Sequence, residues 1–474
     1  MAEIDLQTPE LDALRAAEFA HLDRDGHRYF DYTGSGLAQE SQLVACFDLL
    51  RETTLGNPHS HNPTSTPSTE LMEAARKRVL GFFNAADHEC VFTPNATGAI
   101  KLVGEAFPFG GDRPYVWSAD NHNSVNGIRE YARSAGAPMA VAPLLTPELR
   151  PDVEATRALL ANPPGDSPGL FAFPAQSNYS GVQHPLELVA EARDLGWRVL
   201  LDTAAFAPTN RLDLSEVEAD FACVSFYKMF GFPTGVGALV ARRDALAELE
   251  RPAFAGGTIS MVSIAADAFH LVGGHAGFED GTPNFASIPG ITIGLDAVEA
   301  AGIESIHRRV PAATETLLDG FSQLAHANGN PVVALLGPAD ATARGGTIAF
   351  NIVDRDGTQI HDRRVQELAT AAGISLRSGC FCNPGCGEAA HGLTEADMEP
   401  FFERPDPPDF CDLDDTLWET RGSGASALRA SVGWATDAAD IEALLSFVAG
   451  FRDHTEAEMG RPSASTEIRG PDSP

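Results

Sequence analysis

The chain has 474 residues, and 33 Lys and Arg against 66 Asp and Glu give it a formal net charge of −33. So large an acidic excess argues against nucleic acid or an anionic membrane surface as a partner, because both would repel the protein on approach. With 43% hydrophobic and 21% charged residues the chain can bury a sizeable core, which excludes a wholly disordered or fibrous protein.

The first 30 residues predict a polar, helix-prone lead-in segment. Residues 1–5 are acidic and no apolar stretch of signal-peptide length follows them. No later segment approaches the roughly 20 apolar residues that span a bilayer. The seven cysteines are an odd number in a long chain, which is typical of reduced thiols rather than a secreted disulfide framework. We therefore expect a cytoplasmic protein.

Two domains are predicted after this segment. Over residues 31–290, short apolar runs alternate with amphipathic stretches, as in a βα-repeating parallel sheet. Residues 291–455 change pattern and predict a smaller α+β domain, on which the N-terminal segment 1–30 is expected to pack. Within it, the Pro-, Asp- and Glu-rich segment 387–426 predicts an insertion or long loop. Residues 456–474 lack an apolar pattern and predict a disordered tail. The clearest predicted strands cover residues 90–93, 170–173, 199–202, 221–225 and 237–241.

Lysine is rare in this chain, which contains only Lys77, Lys101 and Lys228. Lys228 comes just after the apolar strand 221–225 and before a run punctuated by glycines. Desolvation in such surroundings favours the neutral amine, which is the form that makes Schiff bases. Lys77 and Lys101 lie on predicted amphipathic helices and are interpreted as solvated charges.

Two further strand ends carry unusual polar groups. Asp202 directly follows an apolar strand, where a semi-buried acid could pair with a ring-nitrogen cation or could simply cap the next turn. Residues 92–100 predict a strand, a turn and a helix start, with small residues and a hydroxyl that could bind an anion or form a plain N-cap. A Schiff-base lysine, an acid for a ring nitrogen and a phosphate cup are together what pyridoxal 5′-phosphate requires.

At these residues the sequence resembles the fold-type I, class V aminotransferase family, and within it the cysteine desulfurases and the desulfurase domain of molybdenum cofactor sulfurases. The resemblance implies a pyridoxal phosphate enzyme of the α/β class. Its large cofactor-binding domain would have a mainly parallel seven-stranded sheet, beside a smaller α+β domain. The stretches that carry the resemblance are residues 92–97, 225–237, 278–284 and 376–383.

The resemblance also implies roles for individual residues. Lys228 would hold the cofactor, Asp202 would pair with its ring nitrogen, and His122 would stack on its ring. The phosphate would be held by Ala96, Thr97 and Ser225, and Asn178 would contact both cofactor and substrate. Arg377 and Arg429 would bind the substrate, and the catalytic residues would be Lys228, His122 and Cys382. Thr282 matches a residue that reaches the phosphate from a second subunit, which implies a homodimer. Taken alone, His122 could be a core histidine, Asn178 a turn residue and Arg429 half of an ion pair.

A cysteine-containing loop at residues 377–386 matches the loop that carries the desulfurase nucleophile, and Cys382 takes the nucleophile's place. Attack on sulfur needs a thiolate, which nearby Arg377 could favour. A zinc site made from Cys380, Cys382, Cys386 and Cys411 is an alternative, but the spacing C-x-C-x₃-C lacks paired zinc knuckles, and no metal is predicted. Cys380 and Cys386 could be spare thiols, or could form a regulatory disulfide with Cys382.

The predicted reaction converts L-cysteine to L-alanine and leaves a persulfide on Cys382 for an acceptor protein. Ala205 and Tyr227 depart from many desulfurases, which have glutamine and histidine there, although tyrosine matches the molybdenum cofactor sulfurase branch. Members of that branch also have a C-terminal domain that binds the molybdenum cofactor, and the chain is expected to lack this domain. The alternative is a C–S lyase, epimerase or aminotransferase on the same scaffold. A non-catalytic sulfur-relay partner is disfavoured by the retention of Lys228 and Asp202.

Overall fold

A computed structural model of the chain describes residues 4–406 and 408–462. The strands are β1 (Arg28–Tyr29), β2 (His88–Thr93), β3 (Tyr115–Ser118), β4 (Met139–Ala142), β5 (Leu144–Leu145), β6 (Arg150–Pro151), β7 (Leu170–Pro174), β8 (Arg198–Asp202), β9 (Phe221–Ser225), β10 (Gly237–Arg242), β11 (Ile259–Ser263), β12 (Ala268–Leu271), β13 (Val333–Leu335), β14 (Thr347–Ile352), β15 (Ile374–Ser375), β16 (Arg377–Gly379) and β17 (Ala427–Ser431).

The α-helices are α1 (Pro9–Glu18), α2 (Ala20–Arg24), α3 (Glu40–Glu52), α4 (Ser65–Phe82), α5 (Ala96–Ala106), α6 (Asn123–Asn126), α7 (Ile128–Ser134), α8 (Val153–Ala161), α9 (Glu187–Asp194), α10 (Leu214–Val217), α11 (Phe226–Phe230), α12 (Arg243–Glu248), α13 (Pro289–Ala301), α14 (Ile303–Gln323), α15 (Asp362–Ala371), α16 (Pro384–His391), α17 (Glu395–Phe402), α18 (Phe410–Arg421), α19 (Ala438–Ala449) and α20 (Glu456–Met459).

The largest sheet has seven strands in the order β2-β10-β9-β8-β7-β3-β4. Only β10 runs antiparallel to its neighbours, and the other pairs are parallel. Side chains of β8 alternate between two cores: Val199 and Leu201 lie in one hydrophobic cluster, whereas Leu200 lies in the other. Burial on both faces explains why these strands read as continuous apolar runs. The predicted seven-stranded, mainly parallel sheet is confirmed.

A second sheet lies later in the chain and is antiparallel, with the order β13-β14-β17-β16. The N-terminal segment associates with this region, since β1 pairs with β15 and Arg15 forms an ion pair of 2.6 Å with Asp440 of α19. The four-part division of the chain at residues 30, 290 and 455 stays a prediction.

Two segments expected to lack regular structure contain helices. The segment 387–426, predicted as a loop, holds α17 and α18, each of which begins with a capping box, Thr394 with Asp397 and Asp409 with Asp412. The predicted tail 456–474 begins with α20, which Thr455 caps. Residues 463–474 lie outside the described residues. In both segments, side chains that satisfy helix-end amides compensate for the weak apolar pattern.

The sheet brings the ends of separated strands to one edge. Strand β2 is antiparallel to β10, which is antiparallel to β9, so β2 and β9 run in the same direction. The carboxyl ends of β2, β7, β8 and β9 therefore share an edge, where ligands collect in open parallel sheets. None of the helices in the described part of the chain combines the length and apolar character needed to cross a bilayer.

Candidate active site

A cavity of about 300 Å³ opens at this edge of the sheet. Seven of the eight predicted cofactor-binding residues line it: Ala96, Thr97, His122, Asn178, Asp202, Ser225 and Lys228. Ala205 and Tyr227, the two departures from the desulfurase pattern, line the same cavity. The structure thus brings together residues that are up to 132 positions apart, counting from Ala96 to Lys228.

Lys228 lies in the single-turn helix α11, which follows β9 without a loop. Burial is the main cause that lowers the pKa of Lys228 below its ordinary value, while Asp202 opposes the shift. The backbone of Gly36 packs against this turn, since a Cβ there would lie 2.7 Å from the Lys228 carbonyl oxygen. The lysine is therefore held in a tight apolar turn, where its amine loses its proton more easily than in water.

Asp202 ends β8 and is 8% exposed. Its Oδ1 accepts a hydrogen bond of 3.0 Å from the backbone N–H of Ala204, which fixes the carboxylate at the floor of the cavity. Its negative charge raises the pKa values of both Lys228 and His122 against the effect of burial. Asp202 is thus an anchored anion that can pair with a cation in the cavity.

An anion cup forms at the start of α5. Asn95 caps this helix by accepting a hydrogen bond of 2.9 Å from the N–H of Gly98, and Thr97 lies in the first turn. The hydroxyl of Thr97 lies 2.7 Å from that of Ser124, and Ser225 lines the opposite part of the cavity. Free N–H groups and hydroxyls at the start of an eleven-residue helix suit a phosphate group.

His122 caps α6 and is held in one orientation. Its Nδ1 accepts a hydrogen bond of 3.1 Å from the N–H of Ser124. Burial, first of all, lowers the pKa of His122, and Lys228 and Arg429 act in the same direction. A neutral ring whose Nδ1 is an acceptor carries its proton on Nε2, so it offers a flat face and one N–H donor.

The loop with Cys382 is fastened beside this histidine. The N–H of Asn123 donates to the Cys382 carbonyl at 2.7 Å, and Asn178 Nδ2 donates to the Phe381 carbonyl at 2.8 Å. Phe381 and Cys382 have φ values of 55° and 54°, in the left-handed region. Cys382 is exposed and does not line the cavity itself. The structure therefore fastens the backbone of this loop at the cavity's rim.

Asn383 is a further residue of this loop, to which no role was assigned from the sequence. It is fully buried, and its Nδ2 donates to the Asp120 carbonyl at 2.7 Å and to Asn178 Oδ1 at 2.9 Å. Its Oδ1 accepts from the N–H of Cys386 at 3.2 Å. One side chain thus ties the cysteine loop to the cavity wall.

Arg429 lies behind the loop, with its guanidinium 4.7 Å from the centre of the Phe381 ring. Its Nη1 donates to the Asn178 carbonyl at 3.0 Å, and its Nε is buried without a hydrogen-bond partner. Burial lowers the pKa of Arg429 to about 10, and the Cys382 thiol is among the groups that act on it. A buried guanidinium with an unused N–H can receive a carboxylate.

Arg377 points to a different partner from the one expected. It forms a bidentate ion pair with Asp31, with contacts of 2.6 and 3.1 Å. Neither Arg377 nor Arg429 lines the cavity directly. Asp31 binds both arginines. A glycine at position 34 makes room for it, because a Cβ there would lie 2.5 Å from the Asp31 carboxylate.

Thr282 lies outside this cavity. It lines a neighbouring cavity of about 400 Å³, and its hydroxyl accepts a hydrogen bond of 3.5 Å from Asn57. The two cavities share Pro94 and Gly235. Thr282 does not reach the predicted phosphate site within its own chain, and its part in a second subunit's site stays a prediction.

The alternative zinc site is not assembled. Within residues 4–406 and 408–462, no three of the thiols of Cys380, Cys382, Cys386 and Cys411 offer sulfur atoms within 4.8 Å of one another. All seven cysteines are free thiols. Lys228, Asp202, a flat neutral histidine and an anion cup around one cavity fit pyridoxal phosphate by their chemistry.

Comparisons with known proteins agree with this geometry. Residues 28–444 match the family model described as aminotransferase class-V. The chain is 35% identical to molybdenum cofactor sulfurase from Solanum lycopersicum over 92% of this chain and 57% of that protein. It is 34% identical to the human molybdenum cofactor sulfurase over 96% of this chain and 53% of that protein. The chain thus spans about half the length of the curated relatives it matches.

Among solved structures, the fold is similar to that of the apo cysteine desulfurase from Thermococcus onnurineus NA1. The TM-score is 0.77 at 23% sequence identity, and the match covers 94% of this chain and 98% of the other. This likeness supports the fold.

Proposed function

The chain belongs to the class V aminotransferase family, and from this premise we propose that it is a pyridoxal phosphate-dependent cysteine desulfurase-type enzyme. It converts L-cysteine to L-alanine and holds the removed sulfur as a persulfide on Cys382. An acceptor protein then takes the sulfur. The similarity to molybdenum cofactor sulfurases over more than nine tenths of the chain supports the assignment to this branch.

The residues that would hold the cofactor line the cavity of about 300 Å³ at the edge of the sheet. Lys228 would bind it covalently, Asp202 would face its ring nitrogen and His122 would lie on its ring. Ala96, Thr97 and Ser225 would hold its phosphate. When bound, pyridoxal phosphate supplies an electron sink that stabilises negative charge next to the substrate's α-carbon.

Lys228 and Arg429 would act on different parts of the substrate. Burial lowers the pKa of Lys228, so its amine gives up its proton more easily and can act as a base toward the substrate. Arg429, with its unpartnered Nε, binds the substrate carboxylate, and Asn178 lies between it and the cavity. Substrate bound this way has its side chain directed toward the rim where the cysteine loop lies.

Cys382 removes the sulfur. Its thiolate attacks the sulfur of the substrate, the bond between that sulfur and the β-carbon breaks, and the electron pair stays with the carbon. The β-carbon then takes up a proton to give alanine, and a new S–S bond remains on Cys382. Arg429 lies within electrostatic reach of this thiol.

One observation carries this proposal: the backbone of Cys382 is hydrogen-bonded to Asn123, the neighbour of the histidine that lines the cofactor cavity. A loop held at that rim keeps Cys382 beside the cavity in which the substrate would bind.

The assembly and the surroundings of the enzyme are also part of the proposal. We infer a homodimer, in which Thr282 of one subunit contributes to the phosphate site of the other. Seven free thiols suit a reducing compartment such as the cytoplasm.

The test is release of alanine from L-cysteine by the cofactor-loaded protein. We expect Cys382→Ser to lose at least about 100-fold in rate, because serine is a poor nucleophile toward sulfur. Cys380→Ser, two residues away, is the matched control and should keep its rate within about twofold. Wild-type turnover by Cys382→Ser, or pyruvate and sulfide in place of alanine, would assign the chain to the lyase or transaminase alternatives.

A further inference from the structure

A second group of polar side chains lies behind the cysteine loop, and the proposed reaction does not use it. His361, Asp362 and Asp414 each offer one ligand atom, and these three atoms lie within 4.8 Å of one another. The three residues are 4%, 1% and 0% exposed. His361 precedes α15, Asp362 begins it, and Asp414 belongs to α18. The cluster therefore joins two helices that are separated by about 40 residues of chain.

Asp362 and His361 have buried polar atoms that no hydrogen bond satisfies. Both carboxylate oxygens of Asp362 are buried without a hydrogen-bond partner, and so is Nδ1 of His361. Oδ1 of Asp362 lies 3.3 Å from that Nδ1, but without the geometry of a hydrogen bond. A buried carboxylate that accepts no hydrogen bond is strongly unfavourable. The site is complete only with a cation or a proton that the side chains themselves do not supply.

Asp414 and His361 are held in place by residues outside the cluster. Oδ1 of Asp414 accepts hydrogen bonds from the N–H groups of Ala425 and Ser426, at 2.7 and 3.0 Å. The ring of His361 stacks on Trp418, with 4.8 Å between centroids and 9° between planes. Side chains that bind metals are oriented by such outer contacts. Arg363 is a neighbouring cation that contacts the group, 3.5 Å from Asp414, and it shares its charge with Asp415.

A route to the cluster exists. Asp362 lines a cavity of about 290 Å³ whose walls also include Cys411 and Gly379. His391 adds a further buried nitrogen, since its Nε2 has no hydrogen-bond partner and Asp362 is the charged group that acts on it. The cluster thus combines imidazole nitrogen, carboxylate oxygen and access from solvent.

We propose that His361, Asp362 and Asp414 bind one divalent transition-metal cation. Mixed imidazole and carboxylate ligands suit Mn²⁺ or Zn²⁺ better than Mg²⁺ or Ca²⁺, which take oxygen ligands alone. The cation neutralises Asp362 and links α15 to α18 behind β16, the strand that leads into the cysteine loop. Its role is structural, because it contacts neither the cofactor cavity nor Cys382.

The test uses the cofactor-loaded protein, stripped of metal with a chelator and titrated with Mn²⁺. Mn²⁺ is the first probe because thiolates bind it weakly, so the cysteines do not compete. The loss of the free-ion electron paramagnetic resonance signal counts bound Mn²⁺, and Zn²⁺ retained after gel filtration is measured in parallel. We expect about one ion per chain, and Asp362→Asn should weaken binding at least about 100-fold. Asp415→Asn, which changes charge beside the site without removing a ligand, should bind within about twofold of wild type.

The melting temperature gives a second readout with a definite sign. A ligand that binds only the folded state raises the melting temperature, so Mn²⁺ should stabilise the wild-type protein. Asp362→Asn should not respond to Mn²⁺, and should melt at or above the metal-free wild type because its buried charge is gone. The proposal is overturned if the wild-type protein binds neither Mn²⁺ nor Zn²⁺, or if Asp362→Asn binds them as tightly as Asp415→Asn.

Discussion

Asp31 and Arg429 form a buried ion pair next to the cofactor cavity, with Oδ1 of the acid 3.0 Å from Nη2 of the arginine. The same carboxylate also accepts two hydrogen bonds from Arg377. A single acid therefore engages both arginines that were predicted to bind substrate. A substrate carboxylate must share or replace Asp31 as their partner.

Replacing Asp31 tests this competition. Asp31→Asn keeps the size of the side chain but removes its charge, so Arg429 becomes more available to a substrate carboxylate. We expect the KM for L-cysteine to fall by about three- to tenfold, with kcat changed by less than about threefold. Steady-state alanine release measures both constants.

The same substitution should also lower the thermal stability of the protein, which gives a second, independent measurement. Without Asp31 the buried guanidinium of Arg429 lacks its counter-charge, so the free protein should melt at a lower temperature. A KM that rises in Asp31→Asn would mean instead that the acid holds Arg429 in its binding position.

Lys228 should be indispensable for turnover but not for folding. Lys228→Ala removes the group that would bind the cofactor and move the proton, so we expect alanine release to fall at least about 1,000-fold. Lys77→Ala, which changes an exposed lysine of α4, is the matched control and should keep its rate within about twofold. Substantial activity in Lys228→Ala would remove this residue from the site.

The lowered pKa of Lys228 predicts how stability depends on pH in the cofactor-free protein. Burial lowers the folded-state pKa below the ordinary value of 10.5, so between these two values the unfolded chain binds more protons than the folded one. The stability of the wild-type protein should therefore rise with pH across this window, relative to Lys228→Met. The stabilising effect of Lys228→Met should be largest below the folded-state pKa and shrink toward pH 10.5. Thermal melts of both proteins across this range measure the difference, and a gap that does not change with pH would contradict it.

Asn383 should act on the position of the cysteine loop. Asn383→Ala removes two hydrogen bonds that tie this loop to the cavity wall and one within the loop, from Cys386, so the thiol of Cys382 should lose its alignment. We expect kcat to fall by about 10- to 100-fold while the visible absorbance of the bound cofactor is retained. Asn162→Ala, at an exposed site after α8, is the control.

Hydrogen exchange distinguishes this positional role from general instability. In Asn383→Ala, exchange should increase over residues 379–386 and stay as in wild type over β8 and β9. Equal protection of the loop in both proteins would show that Asn383 does not hold it.

The main features of the sheet and the cofactor cavity could be predicted because their signals are local. An apolar strand followed at once by Asp202 or Lys228 is visible within about ten residues, and parallel-sheet geometry then brings such strand ends together. No local sequence pattern of this kind pointed to Asp31. Its partners Arg377 and Arg429 are 346 and 398 residues away along the chain, and only the folded structure joins them.

The segment around α17 and α18 could not be predicted for a different reason. Proline and acidic residues dominate its composition, which is typical of loops. Helix α17 begins with the capping box at Thr394, and α18 buries Leu413 and Trp418. These contacts, rather than an apolar sequence pattern, stabilise the two helices. The metal-binding cluster was missed with them, because Asp414 meets His361 only when α18 packs beside α15.

The most direct test of the proposed function is the location of sulfur after a single turnover. The cofactor-loaded protein is mixed with less than one equivalent of L-cysteine, alanine is quantified, and mass spectrometry locates added sulfur within the peptide that spans Cys380, Cys382 and Cys386. We predict one alanine for each added sulfur atom, with the sulfur on Cys382. Alanine without a persulfide, or sulfur on a different cysteine, would contradict the account.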